Sequence, residues 1–148
     1  VNQLVDTDFG TKTFSRKDLV LGTGKLTSDG FIVCRQSPLS TVLWYGPYIT
    51  LPPSTYKATF FIKASAPLAN PNQKVLTLDV ASNFGLSQLA TKDVYSSDLF
   101  NAENTSSWHS FALVFTSDHM LTDIEFRGLD ASPNVDIYLG FILVERIT

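Results

Sequence analysis

Trp44, Tyr45 and Tyr48 fall within five positions, in the run Trp44-Tyr45-Gly46-Pro47-Tyr48-Ile49-Thr50-Leu51-Pro52-Pro53. Such rings stack on the C–H face of a sugar, while a Tyr hydroxyl or Trp N–H can hydrogen-bond the sugar's own hydroxyls. A Gly-Pro pair fixes the turn between them, and a Pro-Pro pair closes the segment. Aromatic-lined hollows with a few polar groups are the usual form of a small-ligand pocket. The same rings can instead plug the end of a β-sandwich core. Tyr48 suits that use, Trp44 suits either, and Tyr45, beside the Gly-Pro turn, is the ring expected to be exposed.

A second set of candidates is polar. Asp123, Glu125 and Arg127 recur at period two, which places them on one face of a strand. With Asp79 or Arg35 on a neighbouring strand they would form a floor that binds sugar hydroxyls through charge-assisted hydrogen bonds. An ordinary solvated face has the same pattern, and an exposed Glu125–Arg127 pair contributes little. His109 and His119 are the only histidines, without an obvious third metal ligand. Cys34 is the only cysteine, which excludes an internal disulfide; in Phe31-Ile32-Val33-Cys34 it reads as a small buried hydrophobe. No G-x-S-x-G elbow, phosphate-cradling Gly loop or H-E-x-x-H helix occurs. Asn104-Thr105-Ser106 fits the N-glycosylation pattern and lies in a polar loop.

The elements that must position these residues are strands. Tyr56, Ala58, Phe60, Ile62 and Ala64 alternate with Lys57, Thr59, Phe61 and Lys63, as in a half-buried strand. Lys74–Ser82, Trp108–Thr116 and Leu121–Leu129 alternate likewise, with Ile124 and Phe126 inward. Val135–Val144 is apolar on both faces and reads as a central strand. Shorter strands are expected at Leu19–Leu21, Phe31–Arg35, Thr41–Trp44, Tyr48–Leu51 and Gln88–Val94. Ser96–Asn104 has room for one short helical turn. Turn residues separate the runs at Ser28–Gly30, Gln36–Pro38, Pro52–Ser54, Ala66–Asn72 and Asp130–Asn134. Nine or ten short strands in 148 residues predict a single-domain, all-β antiparallel sandwich of jelly-roll type.

Composition narrows the function classes. Apolar residues make up 44% and charged residues 17%, which argues for a folded chain and against disorder. The net charge of −3 with no basic patch argues against a nucleic-acid partner. No run approaches the roughly 18 apolar residues of a membrane-spanning helix. The chain begins with Val1, which fits a module processed or excised from a longer secreted or cell-surface protein.

The run Gly46-Pro47-Tyr48-Ile49-Thr50-Leu51-Pro52-Pro53-Ser54-Thr55-Tyr56-Lys57-Ala58-Thr59-Phe60 resembles the opening of a strand in carbohydrate-binding-module-like β-sandwiches of the galactose-binding-like jelly-roll kind. Leu78-Asp79-Val80-Ala81, Trp108–Phe115, Glu125-Phe126-Arg127-Gly128 and Val135–Val144 resemble later strands, so the likeness spans residues 44 to 146. Ser54 stands where the pattern carries Gly, and a positive φ there would be strained. The resemblance implies a non-catalytic, lectin-like domain binding an oligo- or polysaccharide but transfers no binding residues, since jelly-roll modules place their sites on a sheet face or in end loops. From their own residue types and spacing, Trp44, Tyr45, Tyr48, Asp79, Glu125 and Arg127 are the expected ligand contacts. Jelly-roll modules also hold structural calcium where the chain ends meet, which nominates Asp6, Asp8 and Asp136. Calcium takes six to eight oxygens, and no D-x-D-x-D-G loop occurs here. Two further classes stay open: a homo-oligomeric structural or adhesion subunit of a capsid, fibre or surface layer with Phe61 at its interface, and a hydrolase or isomerase with two convergent carboxylates.

Overall fold

The computed structural model describes residues 10–22, 25–26, 28, 32–34, 42–65, 72–100, 107–132 and 135–147. Twelve strands occur among them: β1 (Thr11–Phe14), β2 (Val20–Leu21), β3 (Lys25–Leu26), β4 (Ile32–Cys34), β5 (Val42–Tyr45), β6 (Pro47–Leu51), β7 (Ser54–Ala64), β8 (Lys74–Ser82), β9 (Ser87–Tyr95), β10 (His109–Ser117), β11 (Leu121–Leu129) and β12 (Ile137–Arg146). A four-residue helical turn, α1 (Ser96–Leu99), follows β9; the Asp98 carboxylate accepts from the Tyr95 N–H at 2.8 Å. The strands form two antiparallel sheets. One runs β10-β7-β12-β4-β3, with β1 also on β12; the other runs β2-β5-β11-β8-β9, with β6 also on β11. The chain crosses between sheets from β1 to β2, β2 to β3 and β4 to β5, and at every step from β6 to β12 except the β8–β9 hairpin, giving the expected jelly-roll sandwich. β1 and β3 were not expected from the sequence: each holds a single apolar residue, Phe14 or Leu26, too few for a strand pattern to register.

Alternation builds the core. From the first sheet Tyr56, Ala58, Phe60, Ile62, Phe111, Leu113, Ile137, Leu139, Ile142 and Val144 point inward; from the second, Leu76, Leu78, Val80, Ile124 and Phe126. β12 takes the central place expected of it, with β7 along one edge and β4 and β1 along the other. The fully buried Tyr56 donates its hydroxyl to the Pro52 carbonyl at 2.6 Å, pinning the Pro-Pro corner to the strand it opens. Ser54 opens β7 and is not among the described residues with positive φ, so the strain anticipated there does not arise.

Trp44 is core. It is 0% exposed, and its indole lies on Gly128 of the paired strand, where a Cβ would fall 2.4–2.6 Å from three ring atoms. Gly128→Val is therefore expected to destabilise the fold by about 1–3 kcal/mol through overpacking; a melting temperature equal to that of the parent protein would refute this packing.

Candidate functional site

Three irregularities in the second sheet decide which side chains reach its outer surface. In the β5–β11 pair, Trp44 opposes Gly128 and Val42 opposes the next residue, Leu129, so Leu43 is surplus to the ladder. Leu43 and Trp44 are both buried as a result, while Val42 and Tyr45 on either side face outward. In the β6–β11 pair, Ile49 opposes Ile124 and Pro47 opposes Glu125, which makes Tyr48 surplus. Tyr48 has φ +68°, a left-handed backbone that turns its ring away from the core. In β11 the inward residues Leu121 and Ile124 are three apart, and the extra length is taken up around Asp123, at φ +51°. The period-two grouping of Asp123 with Glu125 and Arg127 is thereby broken. Only the latter two lie in the site.

The outward residues converge on a cavity of about 200 Å³ lined by Val42, Tyr45, Tyr48, Phe84, Glu125 and Arg127. The Tyr45 and Tyr48 rings meet edge to face, centroids 6.2 Å apart, and Tyr48 lies 5.7 Å from Phe84 at a tilt of 44°. Phe84 comes from the β8–β9 turn, where Asn83, Phe84 and Gly85 all have positive φ. It is 67% exposed. Bulky residues held in left-handed backbone cost on the order of 1–3 kcal/mol each and gather at functional sites; two of the three rings here are so held.

The polar floor is locked. Arg127 opposes Asp79 across the β11–β8 ladder. Its Nε donates to Asp79 Oδ1 at 2.8 Å and its Nη2 to Oδ2, and Gln88 Nε2 donates to the same Oδ2 at 3.1 Å. Asp79 is 0% exposed. The hydrogen bonds to Asp79 raise the Arg127 pKa further above its already high value, against a lowering by burial. Glu125, 4% exposed, is hydrogen-bonded to the Tyr48 hydroxyl. Burial first, and then the Glu125 charge, push the Tyr48 phenol up to about 12. The folded pKa thus lies above the ordinary 10.0 of the unfolded chain. The stabilisation is complete below pH 10 and is lost as pH rises through about 12. Burial also raises the Tyr56 pKa, so ultraviolet titration is read by difference: a component near 12 is expected to vanish in Tyr48→Phe, and a late-ionising fraction unchanged by that substitution would refute the buried contact.

Sequence and structure agree on Tyr45, Tyr48, Asp79, Glu125 and Arg127 as neighbours, though Tyr48 is a wall of the cavity rather than packing. Trp44 is a correction: no face of its ring and no N–H reaches the surface. Among the described residues its Nε1 finds no hydrogen-bond partner. Phe84 and Gln88 were not anticipated. Arg35, Asp6, Asp8 and the Asn104-Thr105-Ser106 triplet lie outside the described residues. Asp136 has its backbone tied to Ser65, N–H to Oγ at 3.0 Å. Among the described residues no three His, Cys, Asp or Glu side chains are grouped to hold a metal. His109 pairs with Ser107 at 3.2 Å and His119 with Asp118 at 3.0 Å, both at the surface. The His119 hydrogen bond lowers the Asp118 pKa. A larger cavity of about 460 Å³ lies beside Ser82, Ser87, Thr116, Ser117, Asp118 and His119, but among the described residues lining it there is no Trp, Tyr or Phe for stacking.

No family model matches the chain, and no curated protein matches its sequence. Solved structures do match. A carbohydrate-binding module of Cellvibrio mixtus lichenase 5A, solved with cellotriose, superposes with a TM-score of 0.59 at 11% identity, covering 93% of this chain and 98% of that one. The fold is that of carbohydrate-binding modules. The xylanase 10B of Clostridium thermocellum, solved as a binding module with its catalytic module and xylohexaose, matches over 95% of this chain and 28% of that one, with a TM-score of 0.56 and 12% identity. A family 36 module complexed with calcium and xylotriose covers 88% of this chain and 97% of that one, at a TM-score of 0.50 and 10% identity.

Proposed function

We propose that this chain is a non-catalytic glycan-binding module whose site is the cleft between Tyr45, Tyr48 and Phe84. One observation carries the reading: three aromatic rings, two of them on strained backbone, surround a hydrogen-bonding floor of Glu125 and Arg127. A cavity of about 200 Å³ has room for one ring-sized group, less than the ~300 Å³ and above typical of drug-sized ligands. In this reading the rings stack on a sugar face while Glu125 accepts and Arg127 donates hydrogen bonds to its hydroxyls. Lichenase and xylanase modules among the structural neighbours, crystallised with oligosaccharides, support it.

The same floor supports binding without cleavage. A glycosidase needs two carboxylates free to act on opposite sides of a bond. Asp79 is sealed under Arg127, which leaves Glu125 as the one carboxylate among the described residues lining the cleft. The natural setting of such a module is a larger secreted or surface protein, in which repeated sites raise a weak single-site affinity. The finer expectation of calcium at Asp6, Asp8 and Asp136 is tested by chelation: a melting temperature unmoved by EDTA removes it. Calorimetric titration against a broad glycan panel tests the main reading, and no saturable binding by any glycan would end it.

A second reading has its own observation. On the outer face of the first sheet Phe61 stacks on Phe141 at 4.3 Å, and Lys63 lies 5.2 Å from the Trp108 ring and 5.1 Å from that of Tyr138. Trp108 and Phe141 are 39% and 37% exposed. Such a face suits contact with a second copy of the chain. A dimer by light scattering that Phe141→Ser converts to monomer would favour it.

A further inference from the structure

We infer that the Tyr45–Tyr48–Phe84 cleft filters ligands by charge, admitting neutral sugars and protonated amino sugars and refusing uronates and other anionic sugars. The inference rests on the glycan-binding reading and names the substrate class of that site. Arg127 is the only cation among the described residues lining the cleft, and on its own it would invite a carboxylate. It is already engaged. Nε and one N–H of Nη2 are held by Asp79, which takes one of the two edges a bidentate carboxylate could use. The other edge, formed by Nη1 and the second N–H of Nη2, is not used by Asp79, and its Nη1 lies by the β8–β9 turn. A Cβ on Gly85 would fall 2.9 Å from that nitrogen and 3.4 Å from Glu125 Oε2. An anion reaching for Nη1 would therefore meet the Glu125 carboxylate beside it.

Among the described residues, two carboxylates against one guanidinium leave the site with one net negative charge. The Tyr48 phenol does not add to it at neutral pH, nor does it relieve it. Glu125 is 4% exposed, so solvent screens its charge weakly. Placing like charges together in such a setting weakens binding by about tenfold or more. The opposite sign gains: an ammonium at the same position meets Glu125 and the π-faces of Tyr45, Tyr48 and Phe84.

The test uses linkage-matched oligosaccharides that differ only in charge: a glucose oligomer, its glucosamine counterpart and its glucuronate counterpart, titrated at pH 6 into the whole chain and into Glu125→Gln. The amide keeps the shape and an acceptor for Tyr48 while removing the charge. Expected are glucosamine binding at least as tight as glucose, glucuronate about tenfold or more weaker, and a gap that narrows several-fold in Glu125→Gln. Glucuronate binding as tightly as glucose, or an unchanged gap in Glu125→Gln, would overturn the charge filter while leaving the glycan-binding reading standing. Failure of all three series to bind, together with the broad panel, would overturn both.

Discussion

Asp79→Ala is expected to destabilise the protein by about 3 kcal/mol, at the lower end of what removing one partner of a buried ion pair costs. Asp79 is wholly buried and accepts from Nε and Nη2 of Arg127 and from Gln88. Without it, the guanidinium, whose side chain is 18% exposed, has two donors with no acceptor and one counter-charge fewer. Nearby Glu125 offsets part of that loss, since its charge also favours the ionised Arg127. For a chain of this length the loss corresponds to a melting temperature lower by roughly 6–12 °C. The double replacement Asp79→Leu with Arg127→Met is expected to recover most of it, because apolar pairs often substitute for buried ion pairs without net cost. It would nonetheless remove the floor of the cleft. A single Asp79→Ala variant that melts within about 2 °C of the parent would refute the pair as a structural lock.

Tyr48→Gly is expected to separate binding from stability. Tyr48 holds the middle of the aromatic wall, touching Tyr45 and Phe84, and its hydroxyl is bonded to Glu125. Its removal should weaken glycan binding by ~30-fold or more, on the order of 2 kcal/mol, as for a central contact residue. The backbone effect runs the other way. At φ +68° glycine relieves a strain of roughly 1–3 kcal/mol that tyrosine bears, and this offsets the lost ring contacts. The expected outcome is a nearly unchanged melting temperature with binding lost. A large fall in melting temperature with binding intact would make Tyr48 a packing residue and dissolve the proposed site.

What was legible in the sequence followed the alternation. Lys74–Ser82 and Leu121–Leu129 match β8 and β11 end to end, because apolar and polar residues alternate without interruption along most of their length. The pairing of Asp79 with Arg127 followed once those strands were neighbours. The surplus residues were harder to see. Whether Trp44 or Tyr45 points inward depends on Leu43 being extra, and in a run of four apolar residues no alternation exists to break. The β11 irregularity did leave a trace: Leu121 and Ile124 are three apart where a regular strand requires two or four. Phe84 also had a signal, an aromatic within Asn83-Phe84-Gly85, lying between two alternating runs where only a tight turn fits.

The surplus residues and the hairpin tip have a bearing on how such a site can be remodelled. Tyr48 lies outside the register of its ladder, and Phe84 lies beyond the ends of β8 and β9. Neither belongs to the buried cluster that holds the sheets together. Ligand preference can therefore drift, or be redesigned in a library confined to positions 48 and 83–86, with the scaffold left as a constant. Varying Glu125 or Arg127 would carry no such freedom, since those side chains are bound into the sheet itself.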